Sequence, residues 1–132
     1  PRQDPLGEAG VIAIFCGKML KGETPTIFGD GKQLRDYIYV GDVAAANLLA
    51  LEKGDNQIYN IGTGKGVSVI ELFTHLKDLM HFPHDVIYAP ARAGELFRSV
   101  LNAKKIKKEL GWKPSVSIKK GLKLTLKWYK TK

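Results

Sequence analysis

Three times along this chain a short β-prone run gives way to a stretch with helical spacing of apolar residues, and that alternation points to an α/β fold. Leu34-Arg35-Asp36-Tyr37-Ile38-Tyr39-Val40, rich in β-branched and aromatic side chains, predicts a strand. Asp42 then stands where it would cap a helix running from Val43 to about Lys53. Gln57-Ile58-Tyr59-Asn60-Ile61 predicts a second strand and Gly62 to Val67 a loop; Ser68-Val69-Ile70-Glu71 has capping-box spacing before an amphipathic helix that reaches about Met80. Val86-Ile87-Tyr88 predicts a third strand ended by Pro90, followed by a short helix from Ala103 to Leu110 with Gly111 past its end. Upstream of all three, Val11, Ile14 and Phe15 fit a helix from Gly10 to Leu20 that ends near Gly22; Pro25 opens a short strand at Thr26-Ile27-Phe28, and Gly29-Asp30-Gly31 makes a turn. A closing helix spans Ile118 to about Tyr129. With 132 residues, 44% of them hydrophobic, and no repeat or linker, the expectation is one compact unit.

The net charge of +8 is unevenly placed: residues 98–132 carry net +11 and residues 1–97 net −3. A basic tail is one signature of a nucleic-acid-binding module. Here Lys120, Lys123, Lys127 and Lys130 recur at helical spacing opposite Ile118, Leu122, Leu126 and Tyr129, which is the pattern of a solvated helix face. Lys outnumbers Arg in this tail, and no aromatic side chains alternate with the lysines as a base-stacking surface requires. No apolar stretch approaches the ~18 residues of a membrane span, so no membrane partner is expected. The start, Pro1-Arg2-Gln3-Asp4-Pro5, has no initiator Met and no apolar signal region, and reads as the interior of a longer chain. A single cysteine, Cys16, lies among apolar residues and cannot form an internal disulfide, as fits a reducing cytoplasm.

Gly62-Thr63-Gly64-Lys65-Gly66, between a predicted strand and a helix, invites comparison with a dinucleotide-binding turn. The third glycine of that fingerprint falls on Val67, and Val86-Ile87-Tyr88 does not end in an acid to hold a ribose, so a tight strand-to-helix connection is the better reading. His75, His81 and His84 are spread without metal-ligand partners, and no metal site is expected. Arg35, just after a glycine turn, and Arg92, in Ala91-Arg92-Ala93-Gly94-Glu95 past the third strand, are candidates for gripping one diphosphate, because a planar guanidinium donates two hydrogen bonds to such a group. The alternative is a pair of surface salt bridges, Arg35 with Asp36 or Asp30 and Arg92 with Glu95.

Taken in order, these segments resemble the extended short-chain dehydrogenase/reductase family, and within it the UDP-glucose 4-epimerases and other NAD-dependent epimerases and dehydratases. Four ordered blocks carry the resemblance: Pro1-Arg2-Gln3-Asp4-Pro5; Phe28-Gly29-Asp30-Gly31 with Arg35 to Val40 and Asp42-Val43; Tyr59-Asn60-Ile61-Gly62-Thr63-Gly64; and Arg92-Ala93-Gly94-Glu95 with Ser99. Lys104 to Trp112, Pro114 and Ile118 to Leu122 resemble the family's closing region. The resemblance implies that residues 1–132 are the C-terminal nucleotide-sugar-binding portion of an epimerase. The fold would be an α/β substrate lobe plus edge strands of a Rossmann-like sheet, contributed by the Tyr59 strand and the helix after Asp42, with the N-terminal NAD-binding half absent.

By the same resemblance Arg35 and Arg92 hold the diphosphate of a UDP-sugar, Ile27 and Phe28 line the base pocket partly through main-chain hydrogen bonds, and Glu95 accepts a hydrogen bond from the ribose. NAD would serve the intact enzyme, an isomerase of carbohydrate metabolism and a homodimer, and would not be bound by this portion alone. No catalytic residue is expected here, because the family's Tyr-x-x-x-Lys pair is missing: Tyr37 is followed four later by Gly41 and Tyr59 by Thr63. A nucleotide-sugar 4,6-dehydratase portion is the alternative within the family. The isolated chain is expected to be inactive and to self-associate through apolar strand faces.

Overall fold

The computed structural model describes residues 10–131, which form five helices and five short strands among those residues. They are α1 (Val11–Leu20), β1 (Thr26–Phe28), β2 (Leu34–Arg35), α2 (Val40–Lys53), β3 (Val67–Ser68), α3 (Val69–Met80), β4 (Ile87–Ala89), β5 (Arg98–Ser99), α4 (Lys104–Leu110) and α5 (Ile118–Tyr129). Strands and helices alternate, and β1 pairs with β4, and β2 with β5, in parallel, so the α/β class holds. In place of the one unit expected, the described residues pack as two: residues 10–33, 68–97 and 122–131 form the first, and residues 34–67 and 98–121 the second.

In the first unit α1 packs on α3. Phe15 and Phe73 meet edge to face with ring centroids 6.2 Å apart, and Cys16, Met19, Ile27, Leu72, Leu76, Leu122 and Leu126 complete the buried interior. The predicted capping box at the start of α3 is formed in full: Ser68 Oγ accepts from Glu71 N (3.2 Å) and Glu71 Oε2 accepts from Ser68 N (2.8 Å), so two otherwise unpaired helix-start amides are satisfied. β4 lies one residue later than the predicted Val86-Ile87-Tyr88. Lys123, Lys127 and Lys130 stand exposed while Leu122 and Leu126 are buried, as the helical spacing required.

In the second unit α2 packs on α4 around Ala46, Ile106 and Trp112, with Ile38, Leu49, Tyr59 and Ile61 against them. Three expectations are corrected here. The strand predicted from Leu34 to Val40 is only Leu34–Arg35: Asp36 N donates a last ladder bond to Ser99 O (3.0 Å), and its carboxylate then gathers the amides of Thr63, Gly64 and Leu101. The chain departs from the sheet to place that carboxylate, and α2 begins at Val40. Asp42 is not the cap of α2; Tyr39 occupies that position, and Asp42 lies buried in the first turn with its carboxylate turned toward Ser115 and Val116. Gln57 to Ile61 forms no strand. Its alternation is real, with Tyr59 and Ile61 against the core and Ile58 (87% exposed) and Asn60 outward, but among the described residues no neighbouring strand supplies a hydrogen-bond ladder. The two-residue strands β3 and β5 are too short to show any period in sequence.

Candidate substrate-binding site

Thr26-Ile27-Phe28 runs beside Ile87-Tyr88-Ala89 in register; Gly29 and Gly31 follow the first strand and Gly94 lies in the segment after the second. Gly29 (φ +70°) and Gly31 (φ +73°) occupy left-handed backbone that an L side chain rarely adopts. A Cβ at Gly31 would also sit 3.0 Å from Ile27 Cγ2, so this turn can fold only as a glycine turn against a buried Ile27. Pro25 O accepts from Ile87 N (3.0 Å) and Gly29 N donates to Ala89 O (2.9 Å). In a parallel ladder alternate residues point their backbone groups the same way, so Ile27 also faces β4, and the main-chain groups of Thr26 and Phe28 face the open side.

Phe28 therefore presents both a half-buried ring and a main-chain edge, and side chains from the turn and from the loop after β4 converge on it. The Arg92 guanidinium carbon lies 4.0 Å from the centroid of the Phe28 ring, a cation–π contact made by an exposed arginine. Gln33, almost fully buried, donates through Nε2 to Phe28 O (3.1 Å) and to Glu95 Oε2 (3.5 Å). Glu95 N donates to Arg92 O (3.4 Å), and Gly94 (φ +76°) closes the turn between them. One side of the first unit thus carries a cation, an aromatic ring and a carboxylate in fixed order around a main-chain edge.

Of the five residues singled out from sequence, the structure brings Phe28, Arg92 and Glu95 together. Ile27 belongs to the same strand, but its side chain is buried and its backbone faces β4, so it seats Phe28. Arg35 belongs to the other unit, half-buried on β2, where Nη1 donates to its own Leu34 O (2.9 Å). Gln33, which links Phe28 to Glu95, was not marked by the sequence reading; a buried amide two residues past a glycine turn carries no motif of its own.

The Gly62-Thr63-Gly64 loop is filled from within the second unit. Asp36 Oδ1 accepts from Thr63 N (2.8 Å) and from the Thr63 hydroxyl, and Oδ2 accepts from Gly64 N (2.9 Å) and Leu101 N (3.2 Å). Amides that would cradle a pyrophosphate in a dinucleotide turn are already committed to a carboxylate, so this loop does not fit NAD. A Cβ at Gly62 would lie 2.7 Å from Asp36 Oδ2, so glycine is required there by that carboxylate. Among the described residues no group of His, Cys, Asp and Glu could hold a metal ion. No helix among them is long and apolar enough to cross a membrane.

The α/β fold of this chain is shared with known proteins. Residues 1–62 match the NAD dependent epimerase/dehydratase family. A Methanocaldococcus jannaschii protein whose name assigns it provisionally as a UDP-glucose 4-epimerase is 54% identical over 129 residues, which are 98% of this chain and 42% of the relative. A Xanthomonas campestris dTDP-glucose 4,6-dehydratase is 33% identical over 92% of this chain and 38% of its own length. The crystal structure of a Thermotoga maritima UDP-glucose 4-epimerase with UDP-glucose superposes with a TM-score of 0.95 at 53% identity, over 99% of this chain and 42% of that one. The chain belongs to the NAD-dependent epimerase/dehydratase family and spans about two fifths of the length of these relatives.

Proposed function

We propose that residues 1–132 are the C-terminal, nucleotide-sugar-binding portion of an NAD-dependent UDP-sugar 4-epimerase. The observation that carries this reading is the Arg92 guanidinium stacked on Phe28, with Gln33 tying Phe28 to Glu95. The ring contact restrains the exposed guanidinium, whose planar N–H pairs suit diphosphate oxygens. The Phe28 main-chain edge offers hydrogen bonds to a uracil, and Glu95, positioned by Gln33, accepts one from a ribose hydroxyl. Such contacts act on reaction rate by placing the sugar, since binding energy from the nucleotide can be spent on orienting the reacting carbon. NAD and the groups that move protons belong, in this reading, to the rest of the family fold; the Asp36-filled glycine loop supports that division. A 4,6-dehydratase could use the same grip, and the identity of 54% to the epimerase relative against 33% to the dehydratase favours the epimerase.

Calorimetric titration of the purified chain with UDP, UDP-glucose and NAD tests the reading. Uridine nucleotides should bind, and Arg92→Ala should weaken them by about tenfold or more, since a charge-assisted pair contributes about 1.5–3 kcal/mol. Arg92→Lys should recover only part, because a lysine cannot donate the paired bonds. UDP affinity unchanged by Arg92→Ala would refute the site.

A further inference from the structure

The second unit contains a cleft of about 500 Å³ whose rim carries Arg98, Lys104, Lys107 and Lys113 and whose wall includes Leu101 and Pro114. That volume lies within the range of small-molecule sites, about 300–1,000 Å³. No carboxylate lines it. None of the four cations forms an ion pair among the described residues. Asp36, whose carboxylate approaches the glycine loop at the cleft, is committed to the amides of Thr63, Gly64 and Leu101. Four like charges gathered around one concavity raise each other's energy, and a low-dielectric wall focuses their field into it. A multivalent anion relieves that repulsion.

The residues that line the cleft all belong to the second unit. Leu34 pairs with Arg98 and Arg35 with Ser99, and successive strand residues point to opposite faces, so Arg98 and Arg35 project from opposite sides of the β2–β5 pair. Phe28, Arg92 and Glu95 belong to the other unit.

We propose that this cleft is a second anion-binding site, taking the di- or triphosphate group of a small molecule whose body rests on the Leu101 and Pro114 wall. The four cations suit a group bearing three or four negative charges, and the half-apolar wall suits an organic carrier more than free phosphate.

The test is titration of the purified chain with inorganic pyrophosphate at low and at moderate salt. Pyrophosphate should bind, more weakly at the higher salt because these rim charges are solvent-exposed. In the Arg92→Ala background, which removes the arginine grip from the readout, the variant Lys104→Gln/Lys107→Gln/Lys113→Gln should bind at least about tenfold more weakly, while the charge-matched variant Lys119→Gln/Lys123→Gln/Lys127→Gln on α5 should bind as Arg92→Ala alone does. Should the rim variant fail to fold, Arg98→Gln and the backbone amide shifts of Gly64 and Leu101 on pyrophosphate addition provide the readout in folded protein. Absence of pyrophosphate binding would overturn the proposal. Equal loss in both triple variants, as from a smeared surface field, or loss of all pyrophosphate binding in Arg92→Ala alone would overturn it as well. UDP binding in the rim variant with Arg92 intact is read separately, so failure here leaves the Arg92 assignment standing.

Discussion

Asp42 holds the second unit together from the first turn of α2, and replacing it with Ala provides a stringent test of that fold. Its carboxylate is only 5% exposed as a residue and accepts from the Ser115 hydroxyl (2.7 Å), Ser115 N (3.1 Å) and Val116 N (3.0 Å). Its backbone carbonyl accepts from Trp112 Nε1 (3.1 Å), a bond the substitution retains. Hydrogen bonds to a charged group contribute about 1.5–3 kcal/mol each, but burying the carboxylate works against them and the exposed Ser115 hydroxyl can turn to water. A net loss of about 3 kcal/mol follows, a large share of the ~5–15 kcal/mol available to a domain. Burial works to raise the Asp42 pKa, yet the Ser115 hydroxyl, the Val116 and Ser115 amides and the Lys120 charge together hold it below the ordinary carboxylate value. A lowered folded pKa means stability that is complete above the unfolded value, about 3.9, and lost as pH falls through the folded one. Urea melts of both proteins from pH 7 down to about pH 3 should therefore show a gap of about 3 kcal/mol that narrows below about pH 4, with an unchanged slope. A gap under about 1 kcal/mol at pH 7, or one independent of pH, would show that the carboxylate is not what joins α2 to the Ser115–Val116 segment.

Four further outcomes are expected. Ser68→Ala removes one half of the capping box and should lower stability by about 1 kcal/mol in the same melts, with Ser68→Asp restoring most of it. Burial pushes the Cys16 thiol up from the usual 9.0 to about 11, so it should react with thiol reagents only as fast as the first unit opens. Because the raised value favours the neutral thiol in the fold, Cys16 also contributes stability that is full below pH 9 and lost between about pH 9 and 11; Cys16→Ala should remove that alkaline decline. Leu48 and Leu51, 65% and 82% exposed on one side of α2, should make the isolated chain self-associate, and Leu48→Gln/Leu51→Gln should shift sedimentation toward monomer.

What the sequence determined by itself was everything carried by local spacing. The helices from Val11, Val69, Lys104 and Ile118 follow from apolar periodicity, the Ser68–Glu71 cap from a four-residue motif, and the exposed lysines of α5 from their position opposite Leu122 and Leu126. The glycine turn at residues 29–31 was legible as well; Arg92 stood out as a guanidinium just past a strand, while Phe28 and Glu95 were marked only by the family resemblance. Only the tertiary structure decided what a polar side chain does with a distant partner. Asp42 looks like a helix cap until Ser115, 73 residues away, takes its carboxylate. Asp36 reads as one more residue of a strand until its bonds to Thr63, Gly64 and Leu101 end that strand and fill the glycine loop. Gln33 became part of the site only when Glu95, 62 residues on, came within reach. Hydrophobic periodicity reports which face of a segment is buried; it does not report which donor meets which acceptor, because that depends on loop closures between residues far apart in the chain.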